Sequence, residues 1–126
     1  SLEWSVDELG KFLDRFPKAL ADTAARMGQL QYQSNRDREK VRAFLIKYQD
    51  RIVYGTDHST PPDAASDAGY ERTRKVWLSH WRYFNTEETQ TVPELDEPVR
   101  GLALPKDVVE KIYRLNAMKV FPNSWK

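Results

Sequence analysis

Arg51-Ile-Val-Tyr-Gly-Thr-Asp57 decides how this chain is read. The β-branched pair Ile52 and Val53 reads as a short buried strand, and Gly-Thr-Asp ends it with a carboxylate where the strand runs out. In a parallel α/β barrel, side chains just past the carboxyl end of a strand point into the active-site mouth, whereas those within it alternate between interior and helix layer. Asp57 is therefore the first candidate for chemistry. A strand-terminal aspartate also reads as a helix cap or a turn former, and spacing alone leaves these alternatives open.

Outward from that strand, the preceding segment Asn35 to Gln49 has a helical pattern, with Val41, Phe44, Leu45 and Tyr48 on one face and the charges Arg36, Asp37, Glu39, Lys40 and Lys47 on a solvated one. Before it, Lys18 to Asp22 is short, small and apolar, and reads as a second buried strand. Thr23 to Ser34 between them reads as a loop with at most a helical turn. Strand, loop, helix, tight turn and strand make a βαβ unit with a parallel pair at about 18–22 and 51–55. Two parallel strands alone leave two open edges, so the sheet is expected to be completed from elsewhere.

At the start of the chain, Ser5-Val-Asp-Glu8 is a capping box, and Val6, Leu9, Phe12, Leu13 and Phe16 form an apolar stripe that Pro17 stops. Beyond Asp57, a loop of turn formers that includes Pro61 and Pro62 leads to a helix with Tyr70, Trp77, Trp81 and Phe84 along one side, read as a packing stripe and supported by a Glu71 and Lys75 pair. Thr86 to Leu104 lacks periodicity and is long enough to wrap another part of the fold. Pro105 opens a last helix carrying Val108, Val109, Ile112, Tyr113 and Asn116, with Asp107 and Lys111, and Glu110 and Arg114, as pairs on its exposed side. Phe121 and Trp125 suggest a docked tail. The expected fold class is α/β, with two parallel strands and about four helices in a single partial domain spanning 1–126.

Composition excludes several functions. Twenty Lys and Arg against 19 Asp and Glu leave no single-sign field to recruit nucleic acid. The absence of cysteine removes disulfides, thiolate nucleophiles and cysteine zinc sites together. No apolar run approaches the roughly 20 residues of a membrane span. No Gly-rich phosphate loop, nucleophile elbow or His-Glu-x-x-His helix occurs. The chain begins at Ser1 without an initiator methionine, as a piece of something longer would. A cytoplasmic location is expected, with a periplasmic one left open because an upstream signal would be out of sight.

Around Asp57 the candidates are few. Asp22, near the end of the first strand, is expected on the same rim, with Thr23 and Arg26 close behind; a rim arginine can bind a substrate carboxylate in a forked geometry or pair with a neighbouring aspartate. His58 is a candidate substrate contact or a surface histidine, and His80, between Trp77 and Trp81, reads as a hydrogen-bonded packing residue. A mononuclear zinc site needs three protein ligands and an open position, more than two histidines in these places offer.

Three stretches carry a resemblance. Asp14-Arg-Phe-Pro-Lys-Ala-Leu-Ala-Asp-Thr-Ala-Ala-Arg26, Phe44-Leu-Ile-Lys-Tyr-Gln-Asp-Arg-Ile-Val-Tyr-Gly-Thr-Asp57 and Gly101-Leu-Ala-Leu-Pro-Lys-Asp-Val-Val-Glu-Lys-Ile-Tyr-Arg-Leu-Asn-Ala117 resemble, in order, the carboxyl-terminal part of the amidohydrolase-2 family, metal-dependent hydrolases and decarboxylases on a distorted TIM barrel. The resemblance implies that the two strands are the seventh and eighth of a (β/α)8 barrel and that Asp57 is the eighth-strand aspartate, a metal ligand or the group that handles the proton of the attacking water. Arg26 and His58 would then contact a small-molecule substrate. It implies a divalent metal, zinc first, in the complete enzyme and none held by this chain alone, since the His-x-His pair and the mid-barrel histidines are absent. The N-terminal half of the barrel, or a homo-oligomer, would complete the site. Two alternatives stand beside the hydrolase: a decarboxylase, and a non-catalytic module that pairs with another chain.

Overall fold

The computed structural model describes residues 3–59 and 67–124. The Pro61 and Pro62 turn and the Trp125 end of the tail lie outside the described residues. Helix α1 (Val6–Arg15) starts where Ser5 accepts the Glu8 amide at 3.3 Å. Only this half of the capping box forms, because the Glu8 carboxylate is taken by Lys11 at 2.6 Å. The stripe turns inward as expected at Val6 and Leu13, with Leu9 and Phe12 against the core, whereas Phe16 lies past the helix and is exposed.

Strand β1 (Ala21–Asp22) pairs in parallel with β2 (Ile52–Val53), in the register Ala21 to Ile52 and Asp22 to Val53. The expected parallel pair is present but each ladder is only two residues long, shorter than the spans read from sequence. Between the strands lie two helices instead of one. The stretch from Thr23 to Ser34, expected as a loop, folds for most of its length into α2 (Met27–Arg36), and Asp37 then ends α2 and caps α3 (Arg38–Lys47) by accepting the Lys40 amide at 3.0 Å. Polar residues such as Gln29, Gln31, Gln33 and Ser34 hid the helix, since Met27 is the one apolar side chain among its buried positions Met27, Gly28, Gln31 and Ser34. Gln31 and Ser34 are buried, and Gln33 is used to bind the Val6 amide at 2.8 Å and the Glu3 carbonyl at 2.9 Å. On α3, Val41, Phe44, Leu45 and Tyr48 are all buried, as their spacing required.

Helix α4 (Asp67–Asn85) is the longest described element. Its inward face is Gly69, Tyr83 and Phe84, with Thr73 and His80 half-buried, and the aromatic stripe read from sequence faces outward apart from Phe84. Tyr70 is 66% exposed, Trp77 47% and Trp81 46%, so these rings do not form the expected packing layer. Glu71 approaches Arg74 at 3.7 Å, the contact expected of Lys75. The following segment does wrap the molecule: β3 (Thr89–Gln90) and β4 (Val99–Arg100) pair antiparallel, and Val92, Val99, Leu102 and Leu104 are buried.

The last helix comes in three parts, α5 (Lys106–Glu110), a π-helical turn (Lys111–Leu115) and α6 (Asn116–Val120). The π turn lets the Asn116 amide reach the Lys111 carbonyl, while the Ile112 carbonyl accepts the Tyr54 amide of the β2 edge at 2.8 Å. The Asn116 side chain donates to the carbonyls of Gln49 at 2.6 Å and Ile52 at 2.8 Å. One edge of the parallel pair is thus satisfied by a helix, which disposes of the ladder groups a third strand would have used. Lys111 pairs with Asp50 at 3.0 Å instead of Asp107, and Glu110 holds Arg114 at 2.6 Å as expected. Among the described residues the fold is mixed α/β and mostly helical, with one parallel and one antiparallel two-stranded sheet.

Candidate functional site

The carboxyl ends of β1 and β2 are tied together before either reaches its candidate residue. Thr23 Oγ1 donates to the Gly55 carbonyl at 2.8 Å and accepts the Gly55 amide at 3.0 Å, and the Ala25 amide donates to the Thr56 carbonyl at 3.3 Å. Beyond this clamp both chains turn through left-handed backbone, Ala25 at φ 52° and Asp57 at φ 53°. An aspartate tolerates that region, whereas an alanine there costs roughly 1 kcal/mol, so two such residues side by side on one rim mark a shaped edge.

Asp57 is exposed and lines a cavity of about 250 Å3 together with His58, His80, Glu94, Ala25, Met27 and Trp77. His58 Nε2 lies 2.8 Å from Thr73 Oγ1 on α4. His80 Nδ1 lies 2.9 Å from the Tyr54 hydroxyl, and the Tyr54 ring stacks on Tyr113 of the π turn with centroids 4.2 Å apart. Burial pushes the Tyr54 phenol up, with a smaller opposite pull from Tyr113, and burial pulls the His80 imidazole down, so both are neutral near pH 7. A protonated phenol donating to Nδ1 puts the imidazole proton on Nε2, the tautomer we assign.

The other candidates lie apart from this cavity. Arg26 Nη1 donates to the Ala25 carbonyl at 3.0 Å, its Nε lies 3.7 Å from Glu3, and it lines a different cavity of about 290 Å3. Asp22 lines that second cavity too, and its carboxylate caps its own turn through the Ala24 amide at 2.9 Å. The geometry therefore brings Asp57 and His58 together and sets Arg26 and Asp22 elsewhere on the rim.

Sequence reasoning missed Glu94; His80 is the hydrogen-bonded packing residue expected, bonded to Tyr54, and it also lines the Asp57 cavity. Thr73, Val76, Trp77 and His80 recur at helical spacing on one side of α4, so Trp77 belongs both to the aromatic stripe and to the wall of the Asp57 cavity. Glu94 comes from the wrapping segment, where no periodicity points to any partner. As for a metal, no group of three or more His, Asp or Glu among the described residues is placed to hold one, and the Tyr54 and Thr73 hydroxyls already occupy one nitrogen of each histidine. The described donor set does not fit a divalent ion by itself. What the arrangement offers is the carboxylates of Asp57 and Glu94 and a neutral imidazole, held by Tyr54, in the lining of one small cavity. The chain matches no protein-family model, no curated protein and no solved structure.

Proposed function

We propose that this chain is the C-terminal portion of a metal-dependent amidohydrolase-like hydrolase, with β1 and β2 as the last two strands of a (β/α)8 barrel and Asp57 as the carboxylate they contribute to the active site. The observation that carries the reading is the position of Asp57, held in left-handed backbone just past the end of β2 on a cavity that also receives His58 and His80. The parallel register of the two strands and the resemblance of three stretches of the sequence support it, and it requires the first barrel strand to displace the Tyr54 to Ile112 and Asn116 to Ile52 bonds that close the edge of β2 here. Divalent-metal donors would come from the remaining strands of the complete protein, and the chain alone is inactive. Within this chain Asp57 acts as acceptor for a proton or as one ligand, and His80 stays neutral to donate through Nε2.

The test is Asp57→Asn in the complete enzyme. Turnover should fall by about two to four orders of magnitude while circular dichroism and the melting temperature stay put. Retained turnover would remove Asp57 from the chemistry. Release of CO2 from a carboxylic acid substrate would move the enzyme to the decarboxylase alternative.

A second reading, a module that pairs with another chain, is favoured by the outward rings of Tyr70, Trp77 and Trp81 on α4. Under it, sedimentation of the purified protein would reveal a stoichiometric second polypeptide that Trp77→Ser and Trp81→Ser release, with Asp57→Asn indifferent.

A further inference from the structure

His80 is a wall of two chambers. The Asp57 cavity of about 250 Å3 and a second one of about 340 Å3 beneath α4 share Val76, His80 and Glu94. The second is walled by Val92 and Pro93 from the wrapping segment and by Gln31 from α2. Gln31 is only 2% exposed, and its amide nitrogen has no hydrogen-bond partner among the described residues. A buried donor left unpaired costs about 1 to 3 kcal/mol, which a bound acceptor would recover. The last torsion of a glutamine is broad, so the amide can turn toward the chamber at little cost.

We propose that the two chambers form one binding site for an uncharged small molecule bearing a carbonyl group, whose oxygen is held by His80 Nε2 and Gln31 Nε2. Gln31 Nε2 and His80 Nε2 are donors, so the ligand atom between them is an acceptor, while the Glu94 carboxylate in the same lining is left for a donor on the ligand. Charge selects the neutral group over a carboxylate. Asp57 lines one chamber and Glu94 both, and among the described residues the one ammonium in the lining, Lys75, sits on the exposed face of α4 where solvent screens it. Val76, Trp77, Val92 and Pro93 supply apolar walls for the rest of the ligand. This deepens the hydrolase reading, and rests on it only for which end of the ligand faces Asp57.

Benzamide and benzoate serve as probes, followed in amide-correlation NMR spectra of the protein through the Gln31 side-chain amide and the backbone amides of Val76 and Val92. Benzamide should shift all three saturably with a Kd of about 1 mM, the range open to a ligand of that size, and benzoate should bind about tenfold or more weakly. Gln31→Leu removes the donor without leaving a polar group unpaired, so it should fold normally and weaken benzamide about tenfold. His80→Phe, checked for an unchanged melting temperature, should do the same. Absence of saturable shifts, equal binding of benzoate, or benzamide affinity unchanged in both variants would each overturn the proposal. Binding is read without turnover, so these results stand whether or not Asp57→Asn abolishes catalysis.

Discussion

Asn116→Leu should be among the most damaging single changes to the fold. Asn116 is 4% exposed and its amide nitrogen spans two backbone carbonyls, Gln49 at 2.6 Å and Ile52 at 2.8 Å. Leucine has the branched heavy-atom skeleton of asparagine and favours helix, so propensity adds nothing to the cost, and any overpacking by its larger methyls only increases it. The cost is then set by the two orphaned acceptors. Ile52 is buried, and its carbonyl stays unsatisfied for about 1 to 3 kcal/mol, whereas the half-buried Gln49 carbonyl can take water and loses only about 0.5 to 1 kcal/mol. The sum is about 1.5 to 4 kcal/mol. Urea denaturation, with a slope of about 2 kcal/mol/M for a domain of this size, would show the midpoint falling by roughly 0.8 to 2 M at unchanged slope. A loss below about 0.5 kcal/mol would refute the view that Asn116 caps the edge of β2, because a single unsatisfied buried carbonyl already exceeds it.

Gly101→Ala should destabilise by about 1 to 3 kcal/mol or more, since a Cβ there runs into the Thr86 carbonyl, a backbone atom that cannot step aside; a thermal melt within 1 °C of the parent, against an expected drop of about 4 °C or more, would contradict this. Ala25→Gly should raise stability or leave it unchanged, by up to about 1 kcal/mol, because φ 52° is strained for alanine and free for glycine, and denaturant midpoints will show the sign. His80 titrates below its ordinary 6.5 in the fold because burial disfavours its charge, so the unfolded chain binds the proton first and stability should decline as pH falls through 6.5 toward the folded value, levelling off below it. His80→Gln should flatten that part of the profile, and an identical slope in both proteins would exclude His80 as its source.

The buried faces of α1 and α3 were legible because their apolar residues recur at helical spacing, and Val6, Leu13, Val41, Phe44 and Leu45 have nowhere else to go. Helix α2 was not, because its inward residues are Met27, Gly28, Gln31 and Ser34, whose burial is permitted by hydrogen bonds and close approach that arise only once the chain is folded. Helix α4 misled in the opposite sense, with Tyr70, Trp77 and Trp81 about half exposed or more while Gly69, Tyr83 and Phe84 are buried.

By itself, the sequence determined the parallel pair and the acidic residue beyond it, since β-branched residues followed by Gly-Thr-Asp admit few backbone paths. Which groups meet that acid was decided by tertiary structure alone. His80 and Glu94 come from α4 and the wrapping segment, Gln31 of α2 joins them only in the adjoining cavity, and no local periodicity relates residues that far apart in the chain. The edge of β2 is closed in the same way, by a π turn and an asparagine whose partners lie more than 60 residues upstream. Local pattern fixes where a side chain points on its own element; only the packing of elements fixes what it points at.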